Sequence, residues 1–314
     1  MNQRRLGKDG PMLTEIGLGT WAIGGPWIWG WGPQDDKISI RTIHKALDFG
    51  INWIDTAAAY GLGHGEEVVG KALEGIRNEV FLATKCGMVW NNKRRVRNNI
   101  QPESILREVE ASLKRLKTDY IDLYQIHWPD QQTPVEKSWE AMLKLKKQGK
   151  VRYIGVSNFD VPKLEKCEKV YHVDSLQPPY SLLNRKVEPE ILPWCLEHGV
   201  GVVAYSPMQS GLLTGKFDVS RLAPDDWRRK SSYFQESNLS KNLKFAERLQ
   251  EIASAYDKSV AQLAIAWVLH NSAVSSAIVG ARKPEQVDAI VGGSGWSIYQ
   301  EDLSKIEKLR DEML

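Results

Sequence analysis

The chain has 314 residues, 42% of them hydrophobic and 26% charged, which suits one large domain or two modest ones and excludes wholesale disorder. It holds no run of about 18 apolar residues and no apolar segment near its start, so neither a membrane span nor a secretory signal is expected. The 42 basic and 39 acidic side chains leave a net charge of +3, which does not favour a nucleic-acid partner. Cys86, Cys167 and Cys195 are too scattered for a disulfide framework or a thiolate zinc site, so a reducing cytoplasm is the expected compartment.

Short β-rich apolar runs alternate with longer amphipathic ones along the whole chain. Residues 3–6 and 12–15 flank Gly7-Lys8-Asp9-Gly10 and read as an N-terminal hairpin. Strands are then expected at 16–20, 52–55, 80–85, 121–127, 153–157, 175–177, 202–205 and 276–279. Several are continuously apolar, as in Val-Val-Ala-Tyr at 202–205, the pattern of parallel strands buried on both faces. The dense basic run Lys93 to Arg97 (KRRVR) reads as a solvated loop. Ile105, Val109, Leu113 and Leu116 recur at helical spacing, and Trp139, Leu143 and Leu145 follow Pro134 in a helix that Gly149 closes. Residues 209–240 show little periodicity and read as a long seventh loop, with an extra helix behind it at 241–256. Residues 259–270 (SVAQLAIAWVLH) are apolar nearly all round, as a buried helix would be. No linker interrupts the series. Eight strand–helix units point to a (β/α)8 TIM barrel, α/β in class, spanning 1–314 as a single domain, with an N-terminal hairpin, a long seventh loop and extra C-terminal helices.

Gly17-Leu18-Gly19-Thr20-Trp21-Ala22 has the GxGxxA form of a dinucleotide-binding turn. That motif needs a helix opening directly behind it, and here Gly24-Gly25-Pro26 and a Trp-rich loop follow, so the Rossmann reading is set aside. In a barrel, chemistry sits where the strands end at the C-terminal face. Asp55 ends the second strand and Tyr60 follows in its loop. Lys85 ends the third and His127 the fourth. Ser157 and Asn158 end the fifth, Gln177 the sixth, and Tyr205-Ser206 the seventh. Singly, each has an ordinary structural explanation, such as a capping Asp or a satisfied core His. Their convergence on one barrel mouth suggests chemistry.

That chemistry is proton delivery to a carbonyl. A Lys ammonium beside Tyr60 is expected to favour the phenolate and make the phenol a stronger acid. Asp55 would hold Lys85 charged and oriented, and His127 could donate a hydrogen bond to the substrate carbonyl. No metal ligands cluster and no nucleophile–base–oxyanion set is evident. None of these side chains carries a hydride, so an organic cofactor must supply it.

The sequence resembles the aldo-keto reductase family over nearly its whole length. Gly50-Ile51-Asn52-Trp53-Ile54-Asp55-Thr56-Ala57, then Tyr60-Gly61 and Gly65-Glu66, is similar to the family's first signature. Ala83-Thr84-Lys85 carries its lysine, and the run from Asp119 to His127 (DYIDLYQIH) carries its histidine. The run from Gly149 to Phe159 (GKVRYIGVSNF) resembles its fifth-strand motif. The nearest branch is that of bacterial reductases related to potassium-channel beta subunits. The resemblance implies a catalytic tetrad of Asp55, Tyr60, Lys85 and His127, with Tyr60 as proton donor and NADPH as hydride source. It implies that Ser157, Asn158 and Gln177 hold the nicotinamide carboxamide and that Tyr205 stacks on the ring. Ser206, Pro207, Met208, Gly211 and Leu212 would cradle the pyrophosphate, with Lys216 and Arg228 adding positive charge. Thr20 and Trp21 would approach the nicotinamide ribose.

The adenosine end departs from the commoner family pattern. Many members carry Lys-Ser after the eighth strand and then Arg, Glu and Asn. Here the run is Gly280-Ala281-Arg282-Lys283-Pro284-Glu285-Gln286, with Ala289 and Ile290 where the Glu and Asn would fall. Arg282 can still pair with a 2′-phosphate and Gln286 can hydrogen-bond it, so NADPH is favoured and NADH stays open.

The chain has 12 Trp, several times the usual share, and they sort by position. Trp53, Trp139, Trp194, Trp267 and Trp296 fall on structural segments. Trp21 follows the first strand, Trp27, Trp29 and Trp31 alternate through the first loop, and Trp90, Trp128 and Trp227 fall in later active-face loops. Trp27, Trp29, Trp31, Trp90 and Trp128 are the expected substrate wall, suited to apolar or ring-bearing carbonyl compounds. The leading expectation is an NADPH-dependent carbonyl reductase acting on small molecules, with no nucleic-acid or membrane partner. A cofactor-binding regulatory or sensor subunit and a Lys85 Schiff-base lyase are the alternatives.

Overall fold

The structure, a computed structural model, describes residues 1–314, with the side chain at 221 left aside. In chain order it contains β1 (Gln3–Arg5), β2 (Met12–Thr14), β3 (Ile16–Gly19), α1 (Asp36–Asp48), β4 (Trp53–Asp55), α2 (His64–Ala72), β5 (Phe81–Cys86), β6 (Met88–Trp90), β7 (Val96–Asn98), α3 (Pro102–Leu116) and β8 (Ile121–Ile126). It continues with α4 (Val135–Lys147), β9 (Val151–Ser157), α5 (Val161–Glu168), β10 (Ser175–Gln177), α6 (Ile191–His198), β11 (Gly201–Tyr205), α7 (Glu236–Ser254), α8 (Val260–His270), β12 (Val274–Gly280), α9 (Pro284–Val291) and α10 (Gln300–Met313). Strands β3, β4, β5, β8, β9, β10, β11 and β12 close into a parallel barrel in that order, which is a (β/α)8 TIM barrel. No helix among the described residues is long and apolar enough to cross a membrane.

Alternation along the strands builds two layers. Trp53, Ala83, Leu123, Val203 and Ile278 point inward and form one apolar cluster with Leu6 and Leu13. Those last two come from the N-terminal hairpin, whose strands pair antiparallel with Gln3 opposite Thr14, so the hairpin plugs the barrel floor. Outward residues such as Ile54, Leu82, Tyr124 and Val202 pack instead under the helices, in a second, larger cluster. Gly17 belongs to the inner packing: a Cβ there would lie 2.0 Å from the Trp53 ring. The glycine therefore admits an indole, and the GxGxxA run serves the barrel core.

Two expectations need correcting. The helix behind the seventh loop begins at Glu236, not at 241. Leu239 drives the earlier start, because it packs with Leu212, Leu222 and Phe234 in a small core belonging to the loop itself. The run Lys93–Arg97 is not a plain loop either. Its residues sit at the tip and on the outgoing strand of a hairpin in which β6 and β7 pair antiparallel, Met88 opposite Asn98. Asn91 closes the tip by accepting from the amides of Lys93 and Arg95. Gly87, at φ +88°, turns the chain off β5 into this hairpin.

A buried polar layer clamps the end of β5 from outside the barrel. Glu66 accepts from Thr84 Oγ1 at 2.6 Å and from Arg115 Nε at 2.6 Å. Glu108 accepts from the Gly87 amide at 2.9 Å and from Ser104 Oγ at 2.9 Å. Burial pushes the Glu108 carboxyl up to about 7, against the pull of those two donors. A carboxyl whose folded pKa is raised holds its proton more tightly in the folded chain, so stability falls as pH rises from about 4.5 to about 7. Glu108→Gln keeps the shape and removes the titration. Its unfolding free energy relative to wild type should improve by roughly 3 kcal/mol between pH 4 and pH 8, read from urea midpoints; an unchanging difference would contradict the assignment.

Candidate active site

The inward period of two that fills the barrel floor with apolar side chains brings polar ones to its top. Trp53 is followed two residues on by Asp55, Ala83 by Lys85, and Val203 by Tyr205. Asp55 and Lys85 sit on neighbouring strands, with Asp55 in register with Ala83. Lys85 Nζ lies 2.7 and 2.8 Å from the two Asp55 carboxylate oxygens, donates to Thr56 O at 2.8 Å and reaches Tyr60 Oη at 3.3 Å. An ammonium has three protons, and carboxylate, carbonyl and phenol take all three. Asp55 accepts further from Gln177 Nε2 at 2.9 Å. Both ions are buried, at 1% and 2% exposure. Thr20 holds the Asp55 backbone, donating through both N and Oγ1 to its carbonyl.

Tyr60 arrives through a tight turn after β4, where Gly24 and Gly61 lie in direct backbone contact: a Cβ on Gly61 would meet the Gly24 carbonyl at 1.9 Å. The Tyr60 ring stands edge-on to His127, with centroids 5.8 Å apart. Burial, then the Asp55 carboxylate, push the Tyr60 hydroxyl well above the usual tyrosine range. The expectation of an acidified phenol is thus overturned. Desolvation penalises the phenolate, and the Asp55 carboxylate beside Lys85 disfavours it further. Lys85 itself is lowered by burial against the pull of Asp55. Burial, then Lys85, hold His127 well below its usual range, so its imidazole is neutral near pH 7 and keeps one ring N–H to donate. His127 Nδ1 is buried without a hydrogen-bond partner among the described residues.

Above these groups lies a cavity of ≈ 660 Å³, within the range of small-molecule sites. Asp55, Tyr60, His127, Ser157, Asn158, Gln177 and Tyr205 line its floor. Asn158, at φ +62°, accepts from Tyr205 Oη at 2.9 Å and donates to the His127 carbonyl at 3.0 Å. From Tyr205 the wall runs through Ser206, Pro207, Met208 and Gly211 to Gly280, Arg282 and Gln286. Ser206, Gln209 and Ser210 all take positive φ, at 57°, 45° and 53°. Strained backbone of this kind is costly and concentrates at ligand clamps. Arg282 donates to Gln34 Oε1 and the Pro33 carbonyl, with no carboxylate partner among the described residues. Burial and nearby Arg228 lower it. Gln286 accepts from the amides of Arg282 and Lys283.

The remaining expected residues divide. Trp21, Trp27, Trp29, Trp31 and Trp128 line the cavity. Trp227 joins them, its ring stacked on Trp21 with centroids 5.1 Å apart, so the seventh loop closes over the first. Arg228 lies behind the wall, paired with Asp226 and over the Trp31 ring. Besides Arg228, four expected cofactor or substrate residues lie off the wall. Trp90 pairs with Val96 in the hairpin and turns its ring toward Arg115 of α3, 6.0 Å away. Leu212 is buried in the loop's own core, Lys216 is exposed beyond it, and Thr20 lies beneath Asp55. Met88, Asn98 and Ser210, which the sequence reading did not single out, belong to the wall. Met88 and Asn98 were hidden because the hairpin carrying them has only three residues in each strand.

Residues 15–311 match the Aldo/keto reductase family. The chain is 41% identical to Aldo-keto reductase YhdN of Bacillus subtilis (strain 168), covering 100% of this chain and 95% of that one. It is 37% identical to the NADH-specific methylglyoxal reductase of Escherichia coli (strain K12), covering 100% and 99%. Among solved structures it is similar to the glycerol dehydrogenase AKR11B4 from Gluconobacter oxydans, with a TM-score of 0.91, 40% identity and coverage of 99% and 96%.

Removing one partner of a buried ion pair leaves the other uncompensated. Lys85→Met is therefore expected to cost about 3–5 kcal/mol of stability in urea unfolding, and adding Asp55→Asn should restore most of it. A double variant no more stable than the single would contradict this pairing.

Proposed function

Because the chain belongs to the aldo/keto reductase family, an oxidoreductase family, we propose that it reduces aldehydes and ketones to alcohols, reversibly, with the proton delivered from Tyr60 Oη. The observation that carries this reading is the Tyr60 phenol at the floor of an aromatic cavity, held by a buried Lys85–Asp55 pair. A nicotinamide dinucleotide supplies the hydride when bound.

The chain's own residues do the rest. Tyr60, neutral near pH 7, keeps its proton until a carbonyl oxygen accumulates charge beside it. Lys85 then stabilises the oxygen that has lost its proton, at a distance already within hydrogen-bond reach. Asp55 keeps Lys85 aimed. His127, neutral and edge-on to Tyr60, donates an N–H to the same carbonyl oxygen and fixes its angle. Two donors converging on one oxygen are what a developing alkoxide needs. Trp27, Trp29, Trp31 and Trp128 exclude water and receive the apolar body of the substrate.

The wall fits a dinucleotide. Ser157, Asn158 and Gln177 offer amide and hydroxyl groups for a carboxamide, and Tyr205 offers a ring face pinned through its hydroxyl. The strained backbone from Ser206 to Gly211 offers amides to a pyrophosphate. NADPH is the preferred form because Arg282, beside Arg228, has no acidic partner and can take a 2′-phosphate. The Escherichia coli relative is NADH-specific by name, so the preference is this chain's own and rests on Arg282. The three free, buried cysteines suit a reducing cytoplasm.

Tyr60→Phe keeps the ring packing and removes the proton. It should lower kcat/KM for aldehyde reduction about 10²–10⁴-fold while cofactor still quenches tryptophan fluorescence; an undiminished rate would refute the assignment. Arg282→Gln should weaken NADPH binding by about 10–100-fold, the worth of a charged hydrogen bond, and leave NADH binding within about twofold. Equal losses for the two cofactors would remove the ground for the NADPH preference.

A further inference from the structure

The basic run Lys93–Arg97 has no part in the reading above, yet the structure sets it beside the same cavity. The residues that pair at the base of its hairpin, Met88 and Asn98, both line the cavity wall. At the tip, Arg94 Nη2 donates to the Pro26 carbonyl at 3.1 Å. The tip is thereby docked on the loop that carries Trp27, whose ring centroid lies 6.2 Å from that of Tyr60. Lys93, Arg94, Arg95 and Arg97 are all exposed, and none has a carboxylate partner among the described residues.

The acidic groups near the hairpin are committed elsewhere. Asp130 accepts from the amides of Ile100 and Thr133, and Glu108 from the Gly87 amide. On the cavity wall the one carboxylate among the described residues is Asp55, and Lys85 neutralises it. An anion approaching the hairpin therefore meets a cluster of exposed cations that no carboxylate pairs with among the described residues, and Asp130, the acidic group at the hairpin's base, is held by backbone amides.

We propose that the β6–β7 hairpin makes this site selective for carbonyl compounds that carry an anionic group, a carboxylate or a phosphate. The inference rests on the carbonyl-reductase reading of the cavity. Tryptophan rings take the carbon skeleton and the carbonyl reaches Tyr60, while the anion stays at the wet rim among the guanidinium groups. It is never buried, so it keeps most of its hydration and avoids the penalty of an interior ion pair. Attraction of this kind raises the rate of capture and acts over a Debye length, about 10 Å at 0.1 M salt.

The test compares substrates that differ in charge: 4-carboxybenzaldehyde against its near-isosteric amide 4-formylbenzamide, and glyceraldehyde 3-phosphate against the unphosphorylated glyceraldehyde. In wild-type protein at 20 mM salt, kcat/KM should favour each anion by about tenfold, and 0.5 M salt should bring each ratio close to one. The triple variant Lys93→Gln, Arg95→Gln, Arg97→Gln, which leaves the Arg94 tether to Pro26 in place, should lose the preference at low salt and keep the rates on the two neutral aldehydes. Preference in one pair alone assigns the carboxylate or the phosphate as the anion recognised. Ratios near one at low salt, or ratios indifferent to both salt and substitution, overturn the proposal. Should the triple variant misfold, the salt titration of wild type decides alone. Should neither neutral nor charged aldehyde be reduced, the reductase reading fails instead. Quenching of tryptophan fluorescence by benzoate against benzamide then decides the hairpin's selectivity, with equal affinities overturning it.

Discussion

A lysine buried beside an aspartate governs the barrel mouth. Lys85 and Asp55 are almost wholly inside protein, where an unpaired charge would be far too costly to keep. The pair survives because neighbouring parallel strands hold both side chains in the same layer, and because every ammonium proton finds an acceptor. Tyr60 is one of those acceptors, so the position of the reactive phenol follows from the need to satisfy Lys85. Gln177 and Thr20 brace Asp55 from the opposite strand and from the backbone. The site is thus set by the demands of a buried ion pair, with the phenol as its cavity-facing edge.

The loops above this layer are built by different physics. Trp21, Trp31 and Trp227 interlock by ring stacking and edge contacts. The indole N–H of Trp21 is satisfied by the Trp29 carbonyl, but those of Trp27, Trp31 and Trp227 are buried without partners among the described residues. Each unmet donor costs about 1–3 kcal/mol, which packing of large ring surfaces must offset. The first and seventh loops therefore meet through shape and apolar area. The strained residues Ser206, Gln209 and Ser210 lie where that closure passes over the dinucleotide wall.

The strand ends were legible in the sequence because alternation forces them. Once residues 52–55 and 80–85 read as parallel strands, Asp55 and Lys85 had to face the barrel axis at its C-terminal end. The cofactor wall after the seventh strand was legible through family resemblance more than through physics. Other features were hidden for identifiable reasons. Membership of an active-face loop does not say which way a ring turns, so Trp90 was expected in the cavity and stands against Arg115. The hairpin that carries it depends on a turn at Gly87, which Glu108 holds from another helix. The start of α7 depends on Leu239 meeting residues far away in sequence. The acidity of Tyr60 could not be signed from Lys85 alone, because its sign turns first on how deeply the phenol is buried and then on the nearby Asp55 carboxylate.

The central claim is that a carbonyl placed over Tyr60 receives a hydride at carbon and a proton at oxygen. The most direct measurement follows the hydride: NADPH carrying deuterium at both nicotinamide C4 positions is incubated with the protein and a reducible aldehyde, and the alcohol is analysed by mass spectrometry and NMR. The account predicts one deuterium on the carbinol carbon of every product molecule and none exchanged from solvent at that position. Product with solvent hydrogen at the carbinol carbon, or turnover of aldehyde without oxidation of the dinucleotide, would contradict it.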